Sequence, residues 1–272
     1  MSGRAWLRLG WIAALAAAAG VRLWNALTGP LMWGYDAWAH VAYAIFLDIY
    51  RAVPWADQGW SYFHPPFHAA LGWLLAQPGS GEGLMRGLAL LGSAASLGTA
   101  GLAAWLVQRV SPRPRGLPLL AFAAVAFLPV HFFVSPMPGN EMTLTFLTSA
   151  AVAVYIANEG RERPRLAPAA AAGCLLGLAL LTKFSGVTAL AALGAASALR
   201  AWDSRGRAGE AARAALRGAA VAGAALALAA PYYARNAAEF GTPLRLSRDT
   251  SLVRSVEGEQ RPGVRFARDY FA

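Results

Sequence analysis

LAPAAAAGCLLGLALLTKFSGVTALAALGAASAL, residues 166–199, contains one charged side chain, Lys183, in a run that is otherwise apolar or small. A helix crosses a bilayer with about 20 residues, so the run is too long for one ordinary span and generous for none of its divisions. Ser185-Gly186 offers a break, giving two short spans over 166–182 and 184–199. The next loop decides for the division. It carries Arg200, Arg205, Arg207, Arg213 and Arg217, and arginine-rich short loops belong on the cytoplasmic side. Two spans, not one, put these arginines on the same side as Arg109, Arg113 and Arg115 and as Arg161, Arg163 and Arg165.

Outward from this hairpin, apolar runs recur at 9–27, 87–107, 117–135, 141–158 and 214–233, which makes seven spans in all. Hydrophobic residues make up 57% of the chain and charged residues 14%, against about 25% charged in an ordinary soluble domain. The net charge of +10 therefore reflects membrane orientation, and nucleic acid is excluded as a partner. Arg4 and Arg8 before an alanine-rich stretch resemble a signal peptide, but apolar character persists through Val21, Leu23, Trp24 and Leu27, as an uncleaved span requires. The run 65–76 is too short to cross and suits an interfacial or re-entrant helix. The expected fold is an all-α polytopic membrane protein with about seven transmembrane helices. An outer loop, 28–86, holds interfacial helices; the module fills residues 1–244, and 245–272 form a polar non-cytoplasmic tail. A bacterial plasma membrane is the expected location. Cys174, the only cysteine, excludes an intrachain disulfide.

Ionisable groups at membrane depth are costly unless paired or in contact with a watery cavity, so they point to function. This topology sends Asp36, His40, His64, His68, Glu141, Lys183 and Arg235 to the non-cytoplasmic face. Asp36 and His40, four apart, project from one face of a helix, where they suit a shared proton, hydroxyl or metal; an N-capping Asp beside an interfacial His fits equally. His64 and His68 flank the tandem prolines of FHPPFH, and a pair at this spacing can bind a transition metal if a third ligand is near. Glu141 opens a span, where a carboxylate also favours the positive end of the helix dipole. Lys183 is the one lysine among 24 basic residues and suits a phosphate, with snorkelling as the plainer reading. Arg235 reads as phosphate clamp or interfacial anchor. His131 reads as a packed histidine. Trp33, Tyr35, Trp38, Trp55, Trp60 and Tyr62 form an aromatic belt.

Five ordered segments resemble the C-type membrane glycosyltransferases, particularly the family 39 dolichyl-phosphate-mannose-protein mannosyltransferase-like proteins and the lipid A aminoarabinose transferase. They are GYDAWAHVAYAIFL, FHPPFHAALGWLL, GNEMTLTFLTSAAVAVYI, LALLTKFSGVTAL and PYYARNAAEFGTPL. The resemblance implies a polyprenyl-phosphate sugar donor, inverting transfer to an acceptor hydroxyl on the outer face, and Asp36 as general base. It further implies that Lys183 and Arg235 hold the lipid phosphate while His64 and Glu141 line the site; His40, one turn from Asp36, is a further candidate for binding substrate. A divalent metal cation, with Asp36, His40 and His64 as candidate ligands, is compatible with it. Ala37 departs from the family, which often has Glu there, and this puts a two-carboxylate mechanism or metal site in doubt. Relatives usually continue further, so the chain is expected to represent the conserved N-terminal module: a fragment, a subunit whose acceptor site a second chain completes, or an inactive form. The alternative is a noncatalytic lipid-phosphate-binding or assembly subunit. A transporter would need paired midplane charges and repeated broken helices, and the sequence shows neither.

Overall fold

A computed structural model describes residues 3–34, 36–76, 81–161 and 163–245. The expected tail lies, from residue 246 on, outside the described residues, as does Tyr35. The protein is an all-α polytopic membrane protein. Among the described residues four helices are long and apolar enough to cross a membrane: α1 (Gly3–Thr28), α4 (Gly81–Val110), α9 (Val187–Asp203) with the 3₁₀ turn before it, and α10 (Ala208–Phe240). Shorter helices complete the bundle: α2 (Ala37–Tyr50), α3 (Phe67–Ala76), α5 (Leu117–Ala126), α6 (Pro129–Val134), α7 (Glu141–Glu159) and α8 (Leu166–Leu180).

Two helices of the loop 28–86 are too short to cross: α3, with ten residues, rises about 15 Å, half the hydrocarbon core. The apolar hairpin breaks where its sequence predicts, at a 3₁₀ turn over Phe184–Gly186. Two expectations need correction. The span expected over 117–135 is two helices, because Leu128 is extended (φ −65°, ψ 126°) ahead of Pro129. Proline disfavours helical backbone in the residue before it and has no N–H to give. The last span, expected over 214–233, is a 33-residue helix running through Arg213, Arg217, Pro231 and Arg235.

Small residues set the packing. Ala151, Tyr155, Ala169, Ala172, Leu176, Leu193, Val221 and Ala225 form a core joining α7, α8, α9 and α10. At Gly173 a side chain would strike the Val221 carbonyl oxygen, and at Gly177 it would lie 2.9 Å from the Leu228 Cβ, so α8 and α10 approach backbone to backbone. A second cluster, Ala18, Ala100, Ala104, Phe122 and Ala126, seats α1 on α4 and α5. The arginine-rich end is tied by Glu159, whose carboxylate takes two bonds from Arg217 (2.6 and 3.1 Å) and an ion pair from Arg200 (3.3 Å). That pairing explains how α10 keeps Arg217 buried inside a helix.

Candidate functional site

The opposite end gathers the loop 28–86 over the start of α7 and the α8–α9 turn. Gly34 (φ +120°) makes the bend before α2, a backbone region where a side chain would be strained. Two residues on, Asp36 occupies the N-cap position of α2, yet its carboxylate makes no capping bond. The capping reading therefore falls, and the carboxylate is available for other partners. One turn into the helix, His40 is buried.

Pro65 and Pro66 start α3 and set its approach: the Phe67 N–H donates to the Leu181 carbonyl (2.9 Å), docking the proline turn onto the turn that carries Lys183. This docking brings His64 against His40, ring centroids 5.5 Å apart and nearly parallel, and sets the His68 ring edge-on to His40 at 5.6 Å. Candidate ligand atoms of Asp36, His40 and His64 lie within 4.8 Å of one another. His68 Nδ1 shares a 3.0 Å hydrogen bond with the Thr143 hydroxyl of α7, while its Nε2 is buried without a partner.

From the other side come Glu141, first residue of α7, and Lys183, whose Nζ donates to Glu141 Oε1 at 2.8 Å. Asn140 Nδ2 donates to the Thr182 carbonyl (3.3 Å) and fixes the two turns against each other. The halves sense each other electrostatically. Burial raises the Asp36 carboxyl above its ordinary value, the Glu141 charge raises it further, and Lys183 pulls it back. Burial lowers His40, and it pushes His64 down to about 3 with help from His40 and Lys183. Both imidazoles are thus neutral at neutral pH, with a lone pair to offer. A metal fits this donor set: two neutral imidazoles and a carboxylate, none engaged by a hydrogen bond to another described side chain.

Arg235 stands apart. Its guanidinium donates to the carbonyls of Val53 (2.9 Å) and Pro54 (3.4 Å) and lies 3.6 Å from the centre of the Trp55 ring. Its neighbours in PYYAR act likewise: Tyr232 donates to the carbonyls of Phe63 and His64 (both 3.3 Å), and Tyr233 to Leu180 (2.8 Å). This motif bolts α10 to both turns of the site. The structure therefore brings Asp36, His40, His64, Glu141 and Lys183 together and places Arg235 on the supporting loop. His68 joins them through His40, and Thr143, Tyr232 and Tyr233 take part without having stood out in the sequence; the paired tyrosines of PYYAR were the available signal. His131 packs elsewhere, against Ser96 (3.0 Å).

The family model described as dolichyl-phosphate-mannose-protein mannosyltransferase matches residues 80–226, more than half of the 272-residue chain. The chain belongs to the dolichyl-phosphate-mannose-protein mannosyltransferase family. Comparison with the curated proteins and with the solved structures gives no match. As a member of this glycosyltransferase family the chain has lipid-linked sugar donors as its general kind of partner. The family match takes in Glu141 and Lys183; Asp36, His40 and His64 precede it, and Arg235 follows it. The mannosyltransferase-family segment thus supplies Glu141 and Lys183, and the segment ahead of it supplies Asp36, His40 and His64.

Proposed function

We propose that the chain transfers a sugar from a polyprenyl-phosphate donor to an acceptor hydroxyl, with inversion, at the non-cytoplasmic face of a bacterial plasma membrane. One observation carries the reading. An uncapped, half-buried Asp36 is brought into the electrostatic field of the Lys183–Glu141 pair, which belongs to the segment matched by the glycosyltransferase family. Lys183 receives the lipid phosphate, a compact ammonium suiting a point-like anion. The acceptor oxygen attacks the anomeric carbon as the bond from that carbon to the phosphate oxygen breaks. Asp36 takes the acceptor proton, and the polyprenyl phosphate departs with the bonding electrons.

A raised Asp36 value favours this role, because a base closer to neutrality removes a hydroxyl proton with a better driving force. Displacement by the acceptor itself needs no enzyme nucleophile. His40, His64 and Glu141 line the site, and Arg235 braces the loop that carries His64. If a metal is held, Asp36, His40 and His64 hold it, and it supplies charge stabilisation to an oxygen anion.

The test is transfer from radiolabelled polyprenyl-phosphate sugars by protein in proteoliposomes, supplied with envelope glycan, lipid and protein acceptors. Asp36→Asn is expected to lower turnover by roughly 10²–10⁴-fold while donor binding persists. Full turnover in Asp36→Asn would remove the proposed base. Wild-type protein that binds the donor and never consumes it would favour the noncatalytic reading.

A further inference from the structure

The chain has four histidines, and three of them, His40, His64 and His68, meet in one buried cluster. They come from α2, the proline turn and α3, so no local spacing accounts for the meeting. Burying an imidazole nitrogen without a partner is costly, and the His68 Nε2 is such an atom. Among the described residues no side-chain hydrogen bond engages His40 or His64, Asp36 makes no capping bond, and the His68 Nε2 is orphaned. Packing alone would be served more cheaply by apolar side chains of similar size.

We infer that Asp36, His40 and His64 form a binding site for one transition-metal cation of the zinc class. The donor set decides the class. Two imidazole nitrogens and one carboxylate oxygen suit zinc, cobalt or nickel, whereas calcium and magnesium are bound by oxygens. Three protein ligands rather than four leave a coordination position for an oxygen ligand, water or phosphate. Geometry permits closure. Ligand atoms of a tetrahedral zinc lie about 3.3 Å apart. Those of Asp36, His40 and His64 are within 4.8 Å of one another. No capping bond holds the Asp36 side chain back from such a contraction. The His68 ring, anchored by Thr143, packs edge-on against His40. The cation would clasp α2 to the proline turn, and monodentate binding by Asp36 leaves its second oxygen to accept a proton.

The inference concerns binding and holds whether or not sugar is transferred. Full-length protein without a polyhistidine tag is stripped with chelator in detergent and titrated with Co²⁺, then with Zn²⁺, in the absence of donor. One equivalent of Co²⁺ is expected, with the visible bands of a four- or five-coordinate centre that Zn²⁺ abolishes. His64→Gln and Asp36→Asn should each weaken binding at least about tenfold, as outer-shell changes alone already do 10–100-fold. The combined Asp36→Asn, His40→Gln, His64→Gln variant should not bind, and His131→Gln should bind as wild type. X-ray absorption of the zinc-loaded wild type should show two imidazoles per metal, a result independent of any variant's folding. Absence of saturable one-to-one binding, unchanged binding in the triple variant, or an oxygen-only shell would overturn the site. Loss of transfer in Asp36→Asn with no metal bound to wild type would leave the transferase reading standing and this one refuted.

Discussion

Replacing Lys183 by methionine separates a phosphate ligand from a snorkelling lysine. Among the described residues its ammonium pairs with Glu141 at 2.8 Å, and the two side chains are 31% and 44% exposed. A pair so open to solvent contributes no more than about 1 kcal/mol to stability, and methionine retains most of the apolar stem that packs beside it. A charge-assisted bond from the same ammonium to a lipid phosphate is worth about 1.5–3 kcal/mol, which corresponds to a roughly 10- to 150-fold weaker hold on the donor. Lys183→Met should therefore raise the donor KM by about one to two orders of magnitude while the melting temperature in detergent moves by only a few degrees. Lys183→Arg should recover part of the loss, since it restores the charge but not the compact ammonium. Initial rates against donor concentration in proteoliposomes, with thermal melts of the same preparations, measure both quantities. An unchanged KM would refute the phosphate role. A collapse in stability larger than about 2 kcal/mol would show that Lys183 belongs to the fold rather than to the substrate.

Two further outcomes follow from the charges around Asp36. Glu141→Gln removes the neighbour that raises the Asp36 carboxyl, so the acid limb of the pH–rate profile should move to lower pH; a limb that moves up or stays would disconnect the two residues. In chelator-treated protein, acidification should destabilise the fold. Burial holds His64 down to about 3 from the ordinary 6.5, so below 6.5 the unfolded chain takes up a proton that the folded chain refuses. The contribution is fully present above 6.5, lost progressively as pH falls toward 3, and amounts to about 2 kcal/mol between pH 7 and pH 5. A melting temperature flat across that interval would contradict burial of the cluster.

Membrane character is legible in the sequence because it depends on sums along the chain: apolar runs and arginine placement need no tertiary knowledge. The break at Ser185-Gly186 is legible for the same reason. Pro129 is a local signal too, and its power to end a helix is enough by itself to divide 117–135 into two pieces. The reach of α10 is harder to foresee. Its arginines look like loop residues, and only the partner Glu159, on another helix, shows why Arg217 is buried within it. Arg22, inside the first apolar run, carries no sequence signature of its role. It is buried there because its guanidinium donates to Ser96 Oγ (3.1 Å) and to the carbonyls of Ala18 (3.1 Å) and Ala126 (2.6 Å), partners that sequence spacing cannot reveal. At the site, sequence spacing pairs Asp36 with His40 and His64 with His68, whereas the fold pairs His40 with His64. Contacts within a helix can be read from one sequence; contacts between elements cannot.

The origin of the two halves of the site bears on how its chemistry divides. Glu141 and Lys183 lie in the segment matched to the mannosyltransferase family, at the start of α7 and in the α8–α9 turn, joined by a 2.8 Å ion pair. Asp36, His40 and His64 lie in the preceding segment, which packs on α4 through Val41, Ala44, Leu84 and Leu88 and is tied to the other helices by Phe67 to Leu181, His68 to Thr143, Arg235 to Val53 and Pro54, and Tyr232 to the proline turn. The Lys183 ammonium suits recognition of the part common to all lipid-linked donors, the phosphate. The uncapped Asp36 carboxylate suits the step that involves the acceptor. The expected signature is a division of kinetic effects, with substitutions at Lys183 acting mainly on donor KM and substitutions at Asp36 mainly on kcat. Tyr232→Phe should lower kcat and leave the donor KM nearly unchanged, because it removes the bonds that hold the turn carrying His64 and touches no partner of Lys183.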